Sequence, residues 1–137
     1  MEKVLWVSRH KPLPSQLEYL KNKLGDFEIV EYPYPIGTAE QAVEIVKRNN
    51  AKYVIPVLPL SFIAHLVTSA QKEGFTVLRA EMENIHNCSQ HSCPDYNSET
   101  DTIMESKDFS TNETIYRHFR FKEFRKLKAI EIVTEEW

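Results

Sequence analysis

Residues 3–32 read KVLWVSRHKPLPSQLEYLKNKLGDFEIVEY, and this stretch decides the fold class. Val4 to Ser8 is a short apolar run, the pattern of a strand covered on both faces. Leu13, Leu17, Leu20 and Leu24 then recur at helical spacing and form one stripe of an amphipathic helix. Ser15 followed by Glu18 has the form of a capping box, and Gly25 stands where a helix stop belongs. Phe27 to Tyr32 returns to strand character. The unit is therefore strand–helix–strand.

The same alternation continues outward. Thr38 and Gln41 repeat the capping-box signal ahead of a helix whose buried stripe is Ala39, Ala42, Val43 and Val46. Tyr53 to Leu58 reads as a third strand, although Pro56 inside it has no N–H to give to a central ladder. Ser61 is placed to cap a third helix, with Ile63, Leu66, Val67 and Ala70 facing inward and Gly74 closing it. Phe75 to Leu78 begins a fourth strand. The order βαβαβαβ with short connections predicts parallel strands joined by right-handed helical crossovers. The expected fold is a Rossmann-like or flavodoxin-like three-layer α/β sandwich with four mainly parallel strands and three helices.

Residues 84–112 break the pattern with a run of Ser, Thr, Asn, Asp and Glu, and read as a long loop or insertion. Alternation returns at Ile115 to Lys122, where Phe119 and Phe121 share the expected core face and His118, Arg120 and Lys122 share the other. Lys128 to Thr134 reads as a last strand, antiparallel to the one before it because too few residues separate them for a crossover. At 137 residues, one domain spanning 1–137 is the expected organisation.

Bulk properties exclude several classes. The chain is 42% hydrophobic and 27% charged with a net charge of -3, so it has no global attraction to nucleic acid or anionic lipid. No apolar run approaches the roughly 20 residues needed to span a bilayer, and the first residues lack a signal-peptide core. A soluble, cytoplasmic protein with no membrane partner is the expectation. Three glycines, each at a helix boundary, leave no Gly-x-Gly-x-x-Gly and no phosphate loop, which argues against nicotinamide dehydrogenases and P-loop NTPases. No aspartate ends the first or third strand as a phospho-receiver requires.

Three places can carry chemistry. The densest is His86-Asn87-Cys88-Ser89-Gln90-His91-Ser92-Cys93, which holds both cysteines and two of the five histidines. Imidazole and thiolate are zinc ligands, so His86, Cys88, His91 and Cys93 are a candidate metal set, with Asp95 as a substitute fourth ligand. Zinc is the only cofactor the sequence raises. A Cys88–Cys93 disulfide and a cysteine nucleophile are weaker alternatives, and an exposed loop that binds nothing is the reading the composition favours.

The second place is the set of carboxyl ends of the parallel strands, where open α/β sheets bind ligands. Ser8, Arg9, His10 and Lys11 follow the first strand, Tyr34, Gly37 and Thr38 the second, and Ser61 the third. The cations suit a small anionic ligand. The third place is Arg117 to Lys128, where Arg117, Arg120, Lys122, Arg125, Lys126 and Lys128 interleave with Phe119, Phe121 and Phe124. Such a segment can neutralise phosphates and stack bases, but a charged strand guarding a sheet edge is favoured over nucleic-acid binding.

The sequence holds no complete catalytic constellation. Its leading functional reading is a non-catalytic module that binds a small anionic ligand or a protein partner through Ser8, Arg9, His10, Lys11 and Ser61. The alternatives are a phosphoester hydrolase or nuclease, with His10 as acid-base and Glu81 or Glu83 as base or metal ligand, and nucleic-acid binding through residues 117–128. A homodimer is compatible with the sequence, which fixes no interface.

Overall fold

The computed structural model describes residues 1–88 and 95–137, with Cys88 described by its backbone alone. The elements are β1 (Glu2–Val7), α1 (Pro14–Leu24), β2 (Phe27–Tyr32), α2 (Ala39–Arg48), β3 (Tyr53–Pro56), α3 (Leu60–Glu73), β4 (Thr76–Cys88), β5 (Asp101–Lys107) and β6 (Thr114–Leu127). Six strands are hydrogen-bonded in the order β2-β1-β3-β4-β6-β5. The pairs β1–β2, β1–β3 and β3–β4 are parallel, and β5–β6 is antiparallel. The protein is thus a mixed-sheet α/β fold with three helices.

Contacts gather the chain into two compact units. The first comprises Met1–Lys11, Leu24–Arg79 and Arg125–Trp137. Its core joins Leu5 and Val7 of β1 and Val54 of β3 to Ala42, Ile45 and Val46 of α2 and Leu66, Val67 and Ala70 of α3. Val4 and Trp6, on the alternate side of β1, are buried as well, which explains the unbroken apolar run of that strand. Leu127 and Ile130 pack against the same core.

The second unit comprises Pro12–Lys23 and Ala80–Phe124. Here Tyr19 of α1 meets Phe121 and Phe124 of β6 edge-on, with ring centroids 5.8 and 5.7 Å apart. Leu20, Phe121 and Phe124 are each less than a tenth exposed, so α1 and β6 supply an aromatic-aliphatic interior.

The helix boundaries follow local chemistry, with two corrections. Thr38 caps α2 as expected, its hydroxyl accepting from Gln41 N at 3.1 Å. Gly74 closes α3 in the left-handed region at φ 77°, where a side chain would be strained. Ser15 does not cap α1. The helix starts one residue earlier at Pro14, and the Gln16 side chain reaches back to Leu13 N at 2.9 Å. Proline at the first helical position lacks only an N–H that would have had no intrahelical acceptor, and its fixed φ sets the start. Ser61 likewise is not a cap, because α3 begins at Leu60 and Ser61 is its second residue.

Pro56 is accommodated by position. It ends β3, pairing with Val7 of β1, while β4 pairs with β3 only at Tyr53 and Val54. The ladder on the β4 side therefore never asks Pro56 for a donor.

Residues 84–112, expected to be an irregular insertion, hold the end of β4 and all of β5. The antiparallel pair at this end of the chain is β5 with β6, in a register that sets Asp101 opposite Arg120 and Ile103 opposite His118. The expected strand at 128–134 does not form; residues 128–137 belong to no helix or strand. A polar composition concealed β5, because one of its inward residues is a charged group with its own partners.

Candidate functional site

The rim at the carboxyl ends of β1, β2 and β3 lies within the first unit. After Val7 the chain turns sharply: the Ser8 hydroxyl accepts from His10 N at 3.1 Å, and the Trp6 indole N–H donates to His10 O at 2.7 Å. Trp6 is nearly buried, so its indole pins the backbone of a surface loop to the interior. The Arg9, His10 and Lys11 side chains are exposed on that pinned turn. Among the described residues, no carboxylate forms an ion pair with Arg9 or Lys11.

The neighbouring strands complete the rim. Val57 N donates to Val7 O at 2.8 Å, which ties the segment leaving β3 to the end of β1. That segment exposes Val57 and Leu60 at 64% and 66% and leads to the exposed Ser61. On the other flank, Tyr32 of β2 faces Val7 in the ladder, and its ring packs edge-on against Tyr34 at 5.2 Å. Tyr34 remains 65% exposed. The sheet order thus brings Ser8, Arg9, His10, Lys11 and Ser61 to one end of three adjacent strands, with aromatic and aliphatic surface beside them.

The second unit contains a constellation that sequence reasoning missed. Asp101, at the start of β5, is 1% exposed, and His118 of β6 is 0% exposed. Asp101 Oδ2 lies 2.6 Å from His118 Nε2 and accepts from Asn97 N at 2.9 Å. Arg120 grips the same carboxylate with two donors, Nε to Oδ1 at 2.8 Å and Nη2 to Oδ2 at 3.1 Å. The Thr100 hydroxyl adds a bond to Oδ1 at 2.6 Å. The Arg120 guanidinium foremost holds the Asp101 carboxyl far below the usual carboxylate range, with the Thr100, Asn97 and His118 bonds acting in the same direction against desolvation. An ionised Asp101 only accepts, so His118 Nε2 carries the proton between them.

An aspartate–histidine pair is a familiar way to orient a general base. Here both side chains are sealed from solvent, and the imidazole nitrogen facing Asp101 is occupied. The cluster therefore acts as a strut that joins β5 to β6. His118 and Arg120 were expected to face water; His118 is buried and Arg120 half-buried, because Asp101 gives their polar ends a buried partner. The signal available in sequence was the His118–Arg120 spacing of two, which sets both on one face of a strand.

Of the four candidate metal ligands, only the His86 side chain is described. Its ring packs edge-on against His118, with centroids 5.0 Å apart. The side chain of Cys88, and His91 and Cys93 entirely, lie outside the described residues. Among the described residues, no group of three or more His, Cys, Asp or Glu is placed to hold a metal ion.

In the basic-aromatic strand, Phe121 and Phe124 are interior, Arg120 is engaged with Asp101, and Lys122 Nζ lies 3.1 Å from Glu83 Oε2. Phe119 is half-buried, so it alone of the three rings keeps part of its surface in solvent. Among the described residues no helix is long and apolar enough to cross a membrane. No family model, no curated protein and no solved structure matches this chain.

Proposed function

We propose that this protein is a non-catalytic binding module for a small anionic ligand with a planar apolar part, a nucleoside diphosphate being the chemical class. The ligand docks at the rim formed by Ser8, Arg9, His10, Lys11 and Ser61. The observation that carries this reading is the pinned turn after β1, which holds three exposed basic side chains at the same end of the parallel strands as the exposed Tyr34, Val57 and Leu60. Long cations lose entropy when a ligand immobilises them, and a backbone fixed by Trp6 and Ser8 reduces what remains to be ordered.

The finer architectural reading supports the same location. The order β2-β1-β3-β4 of its parallel strands is consistent with a flavodoxin-like layout, in which ligands lie outside the carboxyl ends at the switch of strand order. β1 lies at that switch, with β2 on one side and β3 on the other.

Isothermal titration with adenosine diphosphate tests the proposal. Binding at one site per chain is expected, weakening as salt is raised. Arg9→Ala and Lys11→Ala should each reduce affinity about tenfold, as loss of a charge-assisted contact requires, while Lys21→Ala on α1 should leave it unchanged. Absence of binding, or binding indifferent to Arg9 and Lys11, overturns the proposal. So does a turnover activity that depends on the His10 imidazole.

A further inference from the structure

We propose that residues 127–137 form an antiparallel β-ribbon with the same segment of a second copy of this chain, making a two-fold homodimer. The segment, Leu127-Lys128-Ala129-Ile130-Glu131-Ile132-Val133-Thr134-Glu135-Glu136-Trp137, has the β-branched composition of a strand. Among the described residues, 128–137 nevertheless belong to no strand. Ile132 and Val133 stand 88% and 92% exposed, and Trp137 is fully exposed. Ile130 packs on the core of the first unit, so the segment is anchored at its start. A strand-forming sequence with its apolar groups in water is a template for pairing with another chain.

Charge fixes the occupant as a second copy and sets the register. Lys128 lies near one end of the segment, and Glu135 and Glu136 lie near the other. Antiparallel pairing with an identical strand therefore brings opposite charges together at both ends. A two-fold axis normal to such a pair passes where one residue faces its own copy, and that residue defines the register. With Ile132 at the axis, Lys128 faces the partner's Glu136, Ile130 faces the partner's Thr134, and Leu127 faces the partner's Trp137.

The neighbouring registers fail. Centring on Glu131 sets that carboxylate against itself, and centring on Val133 sets Glu131 against the partner's Glu135. Like charges directly opposite one another destabilise a ladder. Centring on Thr134 sets Ile132 against the partner's Glu136 and Val133 against the partner's Glu135. Centring on Ile130 draws in Phe124, which is buried and whose carbonyl already accepts from the Tyr19 hydroxyl. The Ile132 register satisfies both charge and burial.

Sedimentation equilibrium of the full chain, from micromolar to millimolar concentration, tests this. A reversible monomer–dimer equilibrium is expected. Ile132→Pro removes a ladder donor from an exposed position and should yield a monomer that melts at the temperature of the native chain at dilutions where the native chain is itself monomeric. Lys128→Glu should weaken the dimer about tenfold or more, and adding Glu136→Lys to it should restore the dimer, because reversal of both charges preserves the pairing. In a Cys88→Ser, Cys93→Ser background, Ile132→Cys should cross-link to its own copy on oxidation. A chain monomeric throughout the range, or a dimer indifferent to Ile132→Pro and to the charge reversal, overturns the proposal.

Discussion

Replacing Asp101 with asparagine keeps the shape of the side chain and removes its charge, which isolates what the buried carboxylate contributes. In the native chain that carboxylate takes two bonds from Arg120 and one each from Thr100 and the Asn97 amide, and it lies against His118 Nε2. Removing one partner of a buried ion pair costs about 3–5 kcal/mol, largely because the other charge is left uncompensated. The Arg120 side chain is 39% exposed, so water recovers part of that loss and the lower end applies. A destabilisation of about 3 kcal/mol is expected, or about 10 °C in melting temperature for a chain of this length.

The assay is urea unfolding followed by circular dichroism at several pH values. Asp101 has a folded-state pKa below its unfolded one, so its contribution is complete above the unfolded value of about 4 and is lost as pH falls through the folded value. The difference between native protein and Asp101→Asn should therefore be flat at neutral pH and narrow on acidification below about pH 4. A difference under about 0.5 kcal/mol at neutral pH, the scale of an ordinary surface substitution, would refute the strut. A difference that grows in acid would refute the assigned charge state.

Other substitutions probe the rest of the fold by the same unfolding measurement. Phe124→Ala removes a buried ring that packs against Tyr19 and Phe121 and should cost about 3–5 kcal/mol. Thr38→Ala removes the α2 cap and should cost about 1 kcal/mol, whereas Ser61→Ala, at a position that caps nothing, should change stability by less than about 0.5 kcal/mol. Gly74→Ala places a side chain at φ 77° and should destabilise by about 1 kcal/mol, in contrast to the gain usual for alanine at a helical position.

The parallel half of the sheet was legible because its signals are local and redundant. Leu17 and Leu20 at helical spacing, Thr38 with Gln41 as a cap, and Gly74 as a stop each depend on neighbours a few residues away. The β5–β6 half was not legible, because its determinant is a contact between distant positions. Asp101 and His118 are each polar and read as surface; only together do they satisfy one another well enough to be buried. The strand expected at 128–134 does not form, for the converse reason. Its β-branched residues give a strong local preference, but residues 128–134 form no ladder with the described strands.

The carboxyl-end rim was legible from topology, since the position of a loop after a parallel strand follows from connectivity alone. Its rigidity was not. The bond from the Trp6 indole to the His10 carbonyl depends on which face of β1 Trp6 occupies, and the unbroken apolar run Val4 to Val7 does not distinguish the faces.

Amide-resolved NMR of the labelled chain titrated with adenosine diphosphate tests the central claim most directly. Saturable shifts should be confined to residues 8–11, 34–38 and 57–61, and in Arg9→Ala should need about tenfold more adenosine diphosphate to reach the same amplitude. Shifts centred on residues 95–122, or none anywhere, would contradict a binding rim at the carboxyl ends of β1, β2 and β3.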